Sequence, residues 1–319
     1  MHILVLGSGV SGLSCAIRLG EAGHAVTVWA RELPPRTTSN VAAAIWYPYR
    51  AYPEDRVIAW AGRTFAVLAE LAAVPGSGVS LVEGIELWAR PGPDPSWSGA
   101  VSGFRQADAA ELWAGRGGGC VFTVPLAEMP RYLDYLVERL LALGGRIVPR
   151  EVGTLAEALA ESRVVVNATG LGARALAGDP SVVPIRGQLV RVAGRPTDRF
   201  IIDDDNPDGI TYIIPRGADC ILGGTAEEGE GSLAPDPAGA AAIRARAAVL
   251  VPALRDASVL EERVGLRPGR PSVRVEAEPL PDGRLVVHNY GHGGSGVTLS
   301  WGCAEEVAAL VERSLAAPS

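Results

Sequence analysis

The amino end of the chain alternates short apolar runs with one helical pattern. Ile3–Leu6 is an uninterrupted apolar run, which predicts a strand that is buried on both faces. A glycine cluster follows at residues 7–12, and the stretch from Leu13 has helical periodicity and ends at Gly23. Ala25–Trp29 is apolar again and predicts the next strand. The first thirty residues therefore predict a complete β-α-β unit.

The pattern is looser between about residues 50 and 140, where Trp, Pro and Gly are frequent. Arg56–Leu71 has the periodicity of a helix, whereas the segments PGPDPSWSG and GRGGG predict turns. Pro130–Leu143 predicts an amphipathic helix. Val164–Asn167, followed by a glycine turn, predicts a second buried strand of the parallel type.

Short apolar segments separated by turns fill the range Ile185–Gly224, namely QLVRVAG, RFIID, TYIIP and CILGG. Their spacing predicts an antiparallel sheet, and a helix is predicted at Pro237–Leu250. Towards its end the chain returns to the first pattern. Leu285–Asn289 predicts a strand, Gly291–Gly296 a glycine loop, and Thr298–Leu315 a helix.

These elements predict the fold class α/β, with a Rossmann-like nucleotide-binding domain and an inserted α+β domain built on an antiparallel sheet. The length of 319 residues agrees with two domains. We expect the nucleotide-binding domain to be discontinuous, with residues 1–50, 140–180 and 283–319, and the inserted domain to comprise 51–139 and 181–282.

Composition narrows the class of ligand. Hydrophobic residues make up 48% of the chain, enough for a large core, and the net charge is −7 with a pI near 5.3. No block of basic residues stands out, so we expect no nucleic acid and no anionic membrane as a partner. A small molecule is the more natural ligand.

All 29 basic residues other than histidine are arginines, because the chain contains no lysine. A lysine Schiff base, a lysine nucleophile and a Walker-type phosphate lysine are thereby excluded, and arginine must supply any fixed positive charge. The four cysteines, Cys15, Cys120, Cys220 and Cys303, fit no metal-ligand spacing, so we expect no metal and buried thiols. No secretory signal or membrane-spanning run is recognisable, which favours a cytoplasmic location.

The cluster at residues 7–12 has the form Gly7-x-Gly9-x-x-Gly12 between a strand and a helix. The first glycine permits the tight turn, the second lets backbone N–H groups approach a pyrophosphate, and the third lets helix and strand pack closely. Glu32, twenty residues beyond Gly12, is suited to bind the ribose hydroxyls, although Arg31 competes for this role. The predicted dinucleotide contacts here are Gly7, Ser8, Gly9, Val10, Ser11, Gly12, Arg31 and Glu32.

A second glycine-rich loop near the other end of the chain helps to decide between NAD and FAD. The run HNYGHGGSGVT over residues 288–298 ends a strand and begins a helix, so its amides and the positive helix end can face a flat anionic group such as a reduced flavin. The alternative is a structural loop that needs several positive φ angles.

Four separated motifs, in the same order, resemble the D-amino-acid oxidase family over essentially the whole chain. They are GSGVSGLS at the amino end, RTTSNVAAAIWYPY, GLRPGRPSVR and HNYGHGGSG, and the segments VNATG and GITYIIP add to the resemblance. D-aspartate oxidase shares this pattern and is the close alternative. The resemblance implies that the first domain binds FAD and that the inserted domain binds the substrate.

The resemblance also assigns roles to individual residues. Arg267 matches the arginine that binds the substrate carboxylate, Tyr212 the tyrosine whose hydroxyl assists it, and Gly294 the glycine whose carbonyl accepts from the substrate amino group. A guanidinium suits a carboxylate because it offers a bidentate fork, although an ion pair like those expected of its arginine neighbours remains the alternative for Arg267. The implied flavin contacts are Thr37, Thr38, Ser39, Ala43, Ala44, Ile45, Val152, Thr169, Arg267, Gly293, Gly294, Ser295, Gly296, Val297 and Thr298.

The implied reaction is hydride transfer from the substrate Cα to flavin N5, followed by reoxidation by oxygen and hydrolysis of the imino acid. It depends on positioning more than on a protein base, so His288 and His292 are expected to be structural. The expected partners are a D-amino acid and oxygen, and a homodimer is left open. The alternative from another class is a dinucleotide-binding dehydrogenase or a flavoprotein without activity.

The sequence departs from the mammalian-type pattern before Tyr212, where a second tyrosine on a mobile lid is lacking. We therefore expect a shorter lid. No arginine follows the segment GGTAEE, so Arg216 is the remaining candidate cation for an acidic substrate side chain. This favours neutral D-amino acids over D-aspartate, while Glu227 and Glu228 leave room for basic substrates.

Overall fold

Two β-sheets and seven α-helices organise the chain in our computed structural model, which describes residues 1–113 and 115–316. The predicted domain range that ends at 319 therefore extends beyond the described residues. The strands, in chain order, are β1 (His2–Leu6), β2 (Ala25–Ala30), β3 (Val79–Trp88), β4 (Ser102–Gln106), β5 (Gly118–Ala127), β6 (Arg146–Pro149), β7 (Val164–Asn167), β8 (Val183–Ala193), β9 (Phe200–Asp203), β10 (Thr211–Pro215), β11 (Asp219–Gly223), β12 (Glu227–Glu228), β13 (Val259–Gly269), β14 (Arg274–Pro279) and β15 (Leu285–Tyr290). The helices are α1 (Val10–Glu21), α2 (Glu54–Leu71), α3 (Met129–Ala142), α4 (Leu155–Glu161), α5 (Ala173–Leu176), α6 (Pro237–Leu250) and α7 (Gly296–Ala316).

The first sheet is mostly parallel and has the order β14-β15-β7-β1-β2-β6. Its central strands are buried along almost their whole length, as β7 and β15 show, because helices cover a parallel sheet on both faces. The chain leaves β1 towards β2 on one side, while β7 lies on the other. Such a change of direction in the strand order is a topological switch point, and ligands of parallel sheets bind there, outside the carboxyl ends of the strands.

The second sheet has nine strands and is antiparallel except where β3 runs parallel to β9. One face is packed beneath α6, in a separate cluster that includes Ile201, Ile213 and Leu222. The opposite face carries Ile202, Tyr212 and Ile214 and is directed towards the first sheet. Alternation along each strand therefore separates a structural face from a face that is available to a ligand.

The predicted fold class is confirmed, since a parallel nucleotide-binding type of sheet is combined with an inserted antiparallel one. The predicted helix at Pro237–Leu250 has the same bounds in the structure, and the four cysteines are free and buried. Within the described residues, no helix is both long and apolar enough to cross a bilayer, and no cluster of potential metal ligands occurs.

Two sequence predictions differ from the structure. The strand β14 (Arg274–Pro279) lies in the range predicted for the inserted domain, but it pairs with β15 in the first sheet. The segment GRGGG was predicted as a turn, yet its last two glycines begin β5. Gly119 packs against the backbone of the neighbouring strand, where a Cβ would lie 2.5 Å from the Glu86 carbonyl oxygen.

The centre of β3 illustrates how glycine is used inside the second sheet. Gly84 pairs with Phe200, and an added Cβ would lie 2.2 Å from the aromatic ring. We expect Gly84→Ala to lower the free energy of unfolding by about 1–3 kcal/mol, because the ring must shift in a packed core. The measurement is denaturant unfolding followed by fluorescence.

Gly62→Ala in α2 is the matched control, since nothing lies within 4 Å of its added Cβ. This variant should be as stable as wild type or more stable by up to about 1 kcal/mol, because alanine favours a helix over glycine. Equal stability of the two alanine variants would contradict the close packing of Phe200 on Gly84.

Candidate active site

A large cavity of about 1010 Å³ lies against both sheets. One end is lined by the β1–α1 turn and the ends of β2 and β7, and the other end by β8, β9, β10 and β13. This volume is at the upper limit of the volumes of clefts that hold small ligands. A ligand as long as a dinucleotide requires a cavity of this size. Of the predicted site residues, Gly12 and Ser295 do not line the cavity, whereas all the others do.

The β1–α1 turn brings backbone close to the cavity. Gly7 has φ +108°, and a Cβ on it would lie 2.4 Å from the Ala168 carbonyl oxygen. A Cβ on Gly12 would lie 1.9 Å from the Gly7 carbonyl oxygen, so Gly12 acts from behind the turn by letting it close. Gly9 precedes α1 and offers no side-chain cap, and Ser39 Oγ accepts the Val10 N–H at 3.0 Å.

The end of β2 and the segment after β6 form the far end of the cavity. Glu32 and Arg31 both line it, and the Glu32 carboxylate lies 3.3 Å from the Arg36 guanidinium. Arg31 donates to Glu151 at 3.2 Å. Val152 lies on the same wall. The two candidates for the ribose thus both line the cavity.

The segment after β2 forms a long wall of the cavity. Thr37 begins a short helical turn, with its hydroxyl donating to Asn40 Oδ1 at 2.8 Å. On the opposite wall the Thr169 hydroxyl donates to Asn167 Oδ1 at 2.7 Å. The predicted contacts of the first wall that line the cavity are Thr37, Thr38, Ser39, Ala43, Ala44 and Ile45.

The second glycine loop is fastened to this wall by two hydroxyls. Ser295 is fully buried and points away from the cavity, where its Oγ accepts the Tyr49 N–H at 2.9 Å and donates to the Tyr49 carbonyl at 2.8 Å. Thr298 makes the same pair of bonds to Tyr47, at 3.1 and 3.0 Å. Gly293, Gly294, Gly296, Val297 and Thr298 are left facing the cavity at the start of α7.

Arg267 lies on β13 and lines the part of the cavity formed by the second sheet. Its Nη1 donates to the Thr225 carbonyl at 2.9 Å. The guanidinium lies over Gly187 of the paired strand β8, where an added Cβ would be 2.2 Å from Nη1. Gly294 is close to its stem, since a Cβ there would lie 3.7 Å from Arg267 Cδ.

The neighbouring arginines differ from Arg267 in their partners. Arg263 is paired with Glu261 at 2.7 Å, Arg270 with Asp179 at 2.9 Å, and Arg274 with Glu276 at 2.9 Å. In the described ranges no carboxylate oxygen lies within 4.0 Å of the Arg267 guanidinium. Its charge is therefore available to an anionic ligand.

Tyr212 lies beside this guanidinium. Its ring covers Gly223 of β11, where a Cβ would be 1.8 Å from Tyr212 Cζ. Burial raises the pKa of the Tyr212 hydroxyl above its ordinary value, while the Arg267 charge opposes this shift. The hydroxyl is therefore protonated near neutral pH and can donate a hydrogen bond.

The two histidines are placed differently. His288 does not line the cavity, is 1% exposed and lies 2.9 Å from Glu278. His292 lines the cavity but is held by Asn289 Oδ1 at 3.0 Å, and burial lowers its pKa to about 4. His292 is therefore neutral near pH 7. A neutral imidazole that is held by an amide suits a structural position.

Some residues at the end of the cavity that holds Arg267 and Tyr212, called the reaction end below, were not predicted from the sequence. Tyr47 and Tyr49 belong to the motif RTTSNVAAAIWYPY, which was the signal that could have found them. Asp204 is the middle one of three aspartates that come directly after the apolar run Phe200–Ile202. A run of carboxylates at this place is unusual and was the signal for Asp204. Gly187 could not be found, because its role depends on the register between β8 and β13.

Comparison with known proteins places these features in a family. A family model described as FAD dependent oxidoreductase matches residues 2–310, which is nearly the whole chain. The chain belongs to this family. FAD is accordingly its cofactor.

Members of the family with a curated name are similar over almost their full length. The chain is 59% identical over 313 residues to D-amino-acid oxidase of Rubrobacter xylanophilus, with 98% of this chain and 96% of the relative covered. It is 37% identical over 327 residues to D-aspartate oxidase of Homo sapiens, with 98% and 95% covered. Glycine oxidase from Geobacillus kaustophilus has the same fold, with a TM-score of 0.81, 20% identity and coverage of 98% and 94%.

The cavity of this FAD dependent oxidoreductase fits its cofactor. The β1–α1 turn would hold the pyrophosphate, because a bare backbone and a helix start meet there and Gly9 itself contributes no side-chain cap. The glycine loop before α7 would hold the flavin, because Gly293 and Gly294 expose backbone rather than side chains to the cavity. The cavity is continuous between these two places.

The close approach of Gly12 to Gly7 provides a test of this assignment. We expect Gly12→Ala to purify with much less flavin than wild type, since the added Cβ would force the turn open. Gly20→Ala in the same helix is the control, because its nearest atom lies at an ordinary 3.4 Å. Flavin absorbance relative to protein absorbance measures both. A full flavin content in Gly12→Ala would show that this turn does not hold the cofactor.

Proposed function

We propose that the protein is a D-amino-acid oxidase, which converts D-amino acids to 2-oxo acids, ammonia and hydrogen peroxide. The names of its relatives and the FAD dependent family support this activity. The observation that carries it is the guanidinium of Arg267, which lines the FAD cavity and has no carboxylate partner within the described residues. An amino acid brings the carboxylate that this charge requires.

The chain's own residues position the substrate. Arg267 binds the substrate carboxylate as a bidentate fork, and the Tyr212 hydroxyl donates a further hydrogen bond to it. Gly294 offers its backbone carbonyl to the substrate amino group. With the carboxylate and the amino group fixed, and the side chain in the remaining space, only one enantiomer directs its Cα–H bond to the flavin wall.

The chemistry that bound FAD supplies is two-electron oxidation, with molecular oxygen as the final acceptor. The protein contributes orientation and the exclusion of other geometries rather than a base. His292 is neutral and tied to Asn289, in agreement with a reaction that uses no protein base. The imino acid product needs only water for its hydrolysis.

The charge pattern supports neutral rather than acidic substrates. Arg216, the candidate cation for a D-aspartate side chain, is occupied by Asp219 through two contacts, Nε–Oδ1 at 2.7 Å and Nη2–Oδ2 at 2.9 Å. Arg216 does not line the cavity, whereas the carboxylate of Asp204 does. A second anionic group on the substrate would therefore be repelled rather than neutralised.

We expect peroxide formation from D-alanine and other neutral D-amino acids, little from their L-enantiomers, and at least a tenfold lower kcat/KM for D-aspartate. Tenfold corresponds to ~1.4 kcal/mol of lost transition-state stabilisation. A panel of D- and L-amino acids measures this. If the yellow protein releases no peroxide from any D-amino acid, the oxidase proposal fails and a flavoprotein without activity is favoured.

Replacement of Arg267 tests the carboxylate site directly. We expect Arg267→Ala to lose turnover while it keeps its flavin, because about 2–5 kcal/mol of binding is lost when a paired charge is removed. Arg255→Ala, at an exposed position outside the cavity, is the control and should behave as wild type. Unchanged affinity of Arg267→Ala for a D-amino acid would refute the role of this arginine.

The cellular location, the division into domains and the oligomeric state of the protein are proposed as well. Four free, buried thiols support a reducing compartment, and we propose the cytoplasm. The division into an FAD-binding and a substrate-binding domain is also a proposal, supported by the two sheets. Sedimentation of the purified protein distinguishes a homodimer from a monomer.

A further inference from the structure

Three consecutive aspartates lie at the end of β9, where Asp203 is the last residue of the strand and Asp204 and Asp205 follow it, and two of them serve the fold. The Asp203 carboxylate accepts from Arg116 through Nε at 3.0 Å and Nη2 at 2.6 Å. Asp205 Oδ2 accepts the Ala89 N–H at 3.1 Å. The middle one, Asp204, lines the cavity instead. In the described part of the chain its side chain has no hydrogen-bond partner within 3.5 Å and no cationic nitrogen within 4.0 Å.

The position of Asp204 places it next to the proposed substrate carboxylate site. Ile202 of β9 is paired with Tyr212 of β10, and Asp204 follows two positions later. Ile202, Asp204, Ile210 and Tyr212 all line the same cavity. The charge of Asp204 also acts on the Tyr212 hydroxyl, whose pKa it helps to raise. Asp204 therefore faces the space beside the substrate anchors.

The charged groups that line the cavity divide into two sets. Asp204 and Arg267 are at the reaction end, where Arg267 is assigned to the substrate carboxylate. Asp204 then remains as an unpaired negative charge that faces the substrate. The other charged lining residues of the described chain, at the dinucleotide end, are Arg31, Glu32, Arg36, Arg150 and Glu151.

A second polar group at this end also has no partner. The Tyr49 hydroxyl oxygen is buried and makes no hydrogen bond, although Tyr49 lines the cavity. A buried hydroxyl without a partner is costly, which points to a ligand group that completes it. Arg50 is exposed and stacks on the Tyr49 ring at 5.1 Å. It lies too far from Asp204 to form an ion pair and does not line the cavity.

We propose that Asp204 selects a cationic substrate side chain, so that the enzyme prefers D-arginine and D-lysine to neutral D-amino acids of the same length. This proposal rests on the proposed oxidase function and extends its substrate range from neutral to basic side chains. The cation of the substrate side chain would pair with the Asp204 carboxylate, while the substrate's own carboxylate would bind Arg267. The other acidic candidates are placed less well, since Glu227 is exposed and paired with Arg186, and Glu228 is exposed and outside the cavity.

The test compares D-arginine with D-citrulline, which has nearly the same shape and no side-chain charge. We expect kcat/KM to be about tenfold higher for D-arginine in wild type, and this ratio to approach one in Asp204→Asn. Asp205→Asn is the matched control, because it removes the same charge one residue further on, at an exposed position. Its ratio should remain that of wild type, and Asp204→Glu should keep a preference for D-arginine.

Other outcomes overturn the proposal. An equal loss with both substrates in Asp204→Asn would mean that Asp204 binds the α-amino group and not the side chain. A wild-type ratio near one, or a ratio lowered as much by Asp205→Asn, would also reject the selective role.

The pH dependence of wild type provides a test that needs no variant. Burial raises the pKa of the Asp204 carboxyl to about 6, Asp205 and Asp203 add to this rise, and the charge of Arg50 opposes it. Protonation removes the negative charge. The ratio of kcat/KM for D-arginine to kcat/KM for D-citrulline should therefore fall as the pH is lowered through about 6. Glu86 has a pKa raised to a similar value, but it is bonded to Tyr47 and does not line the cavity. A ratio that does not change with pH would contradict the proposal.

A binding measurement separates this proposal from the proposed function. The probes are 5-guanidinopentanoate and hexanoate, two carboxylates without an α-amino group. Their binding is followed by the change that each causes in the flavin spectrum. Tighter binding of the guanidino compound to wild type and not to Asp204→Asn supports the selectivity even if no D-amino acid is oxidised. Equal binding, in a protein that does oxidise D-alanine, rejects the selectivity and leaves the oxidase function intact.

Discussion

The guanidinium of Arg267 rests on the bare backbone of Gly187, and in the proposed function this contact fixes where the substrate carboxylate binds. The pairing of β8 with β13 puts Gly187 diagonally across from Arg267, so the side chain can extend along the sheet to the Thr225 carbonyl. A cation without an anionic partner is costly in a partly buried place. The protein accepts this cost at the one arginine that lines the reaction end of the cavity within the described chain.

In the proposed function, the two glycine-rich turns would hold the cofactor next to this guanidinium. Both turns replace side chains with backbone at the cavity surface, so amide groups rather than hydrocarbon meet the ligand. Ser295 and Thr298 tie the second turn to the segment that carries Tyr47 and Tyr49, with four hydrogen bonds between them. The two segments that would contact the flavin are thereby fixed relative to each other, and such fixed positioning is what a reaction without a protein base depends on.

The sequence alone predicted the parts of the fold that depend on local pattern. The β-α-β unit, the helix at Pro237–Leu250 and the glycine loop before α7 were correct, because apolar periodicity and glycine spacing are local signals. The strand β3 was missed since Gly84 interrupts its pattern, and only pairing with Phe200 explains that glycine. Asp204 was missed for a similar reason, because the three aspartates differ only in what surrounds them in space.

The most direct test of the central claim is a crystal structure of the flavin-loaded protein with a simple carboxylate inhibitor such as benzoate. We expect both carboxylate oxygens to bind the Arg267 guanidinium, the Tyr212 hydroxyl to donate to one of them, and the ring of the inhibitor to face the flavin. A carboxylate bound elsewhere in the cavity, with Arg267 held only by Thr225, would contradict the central claim.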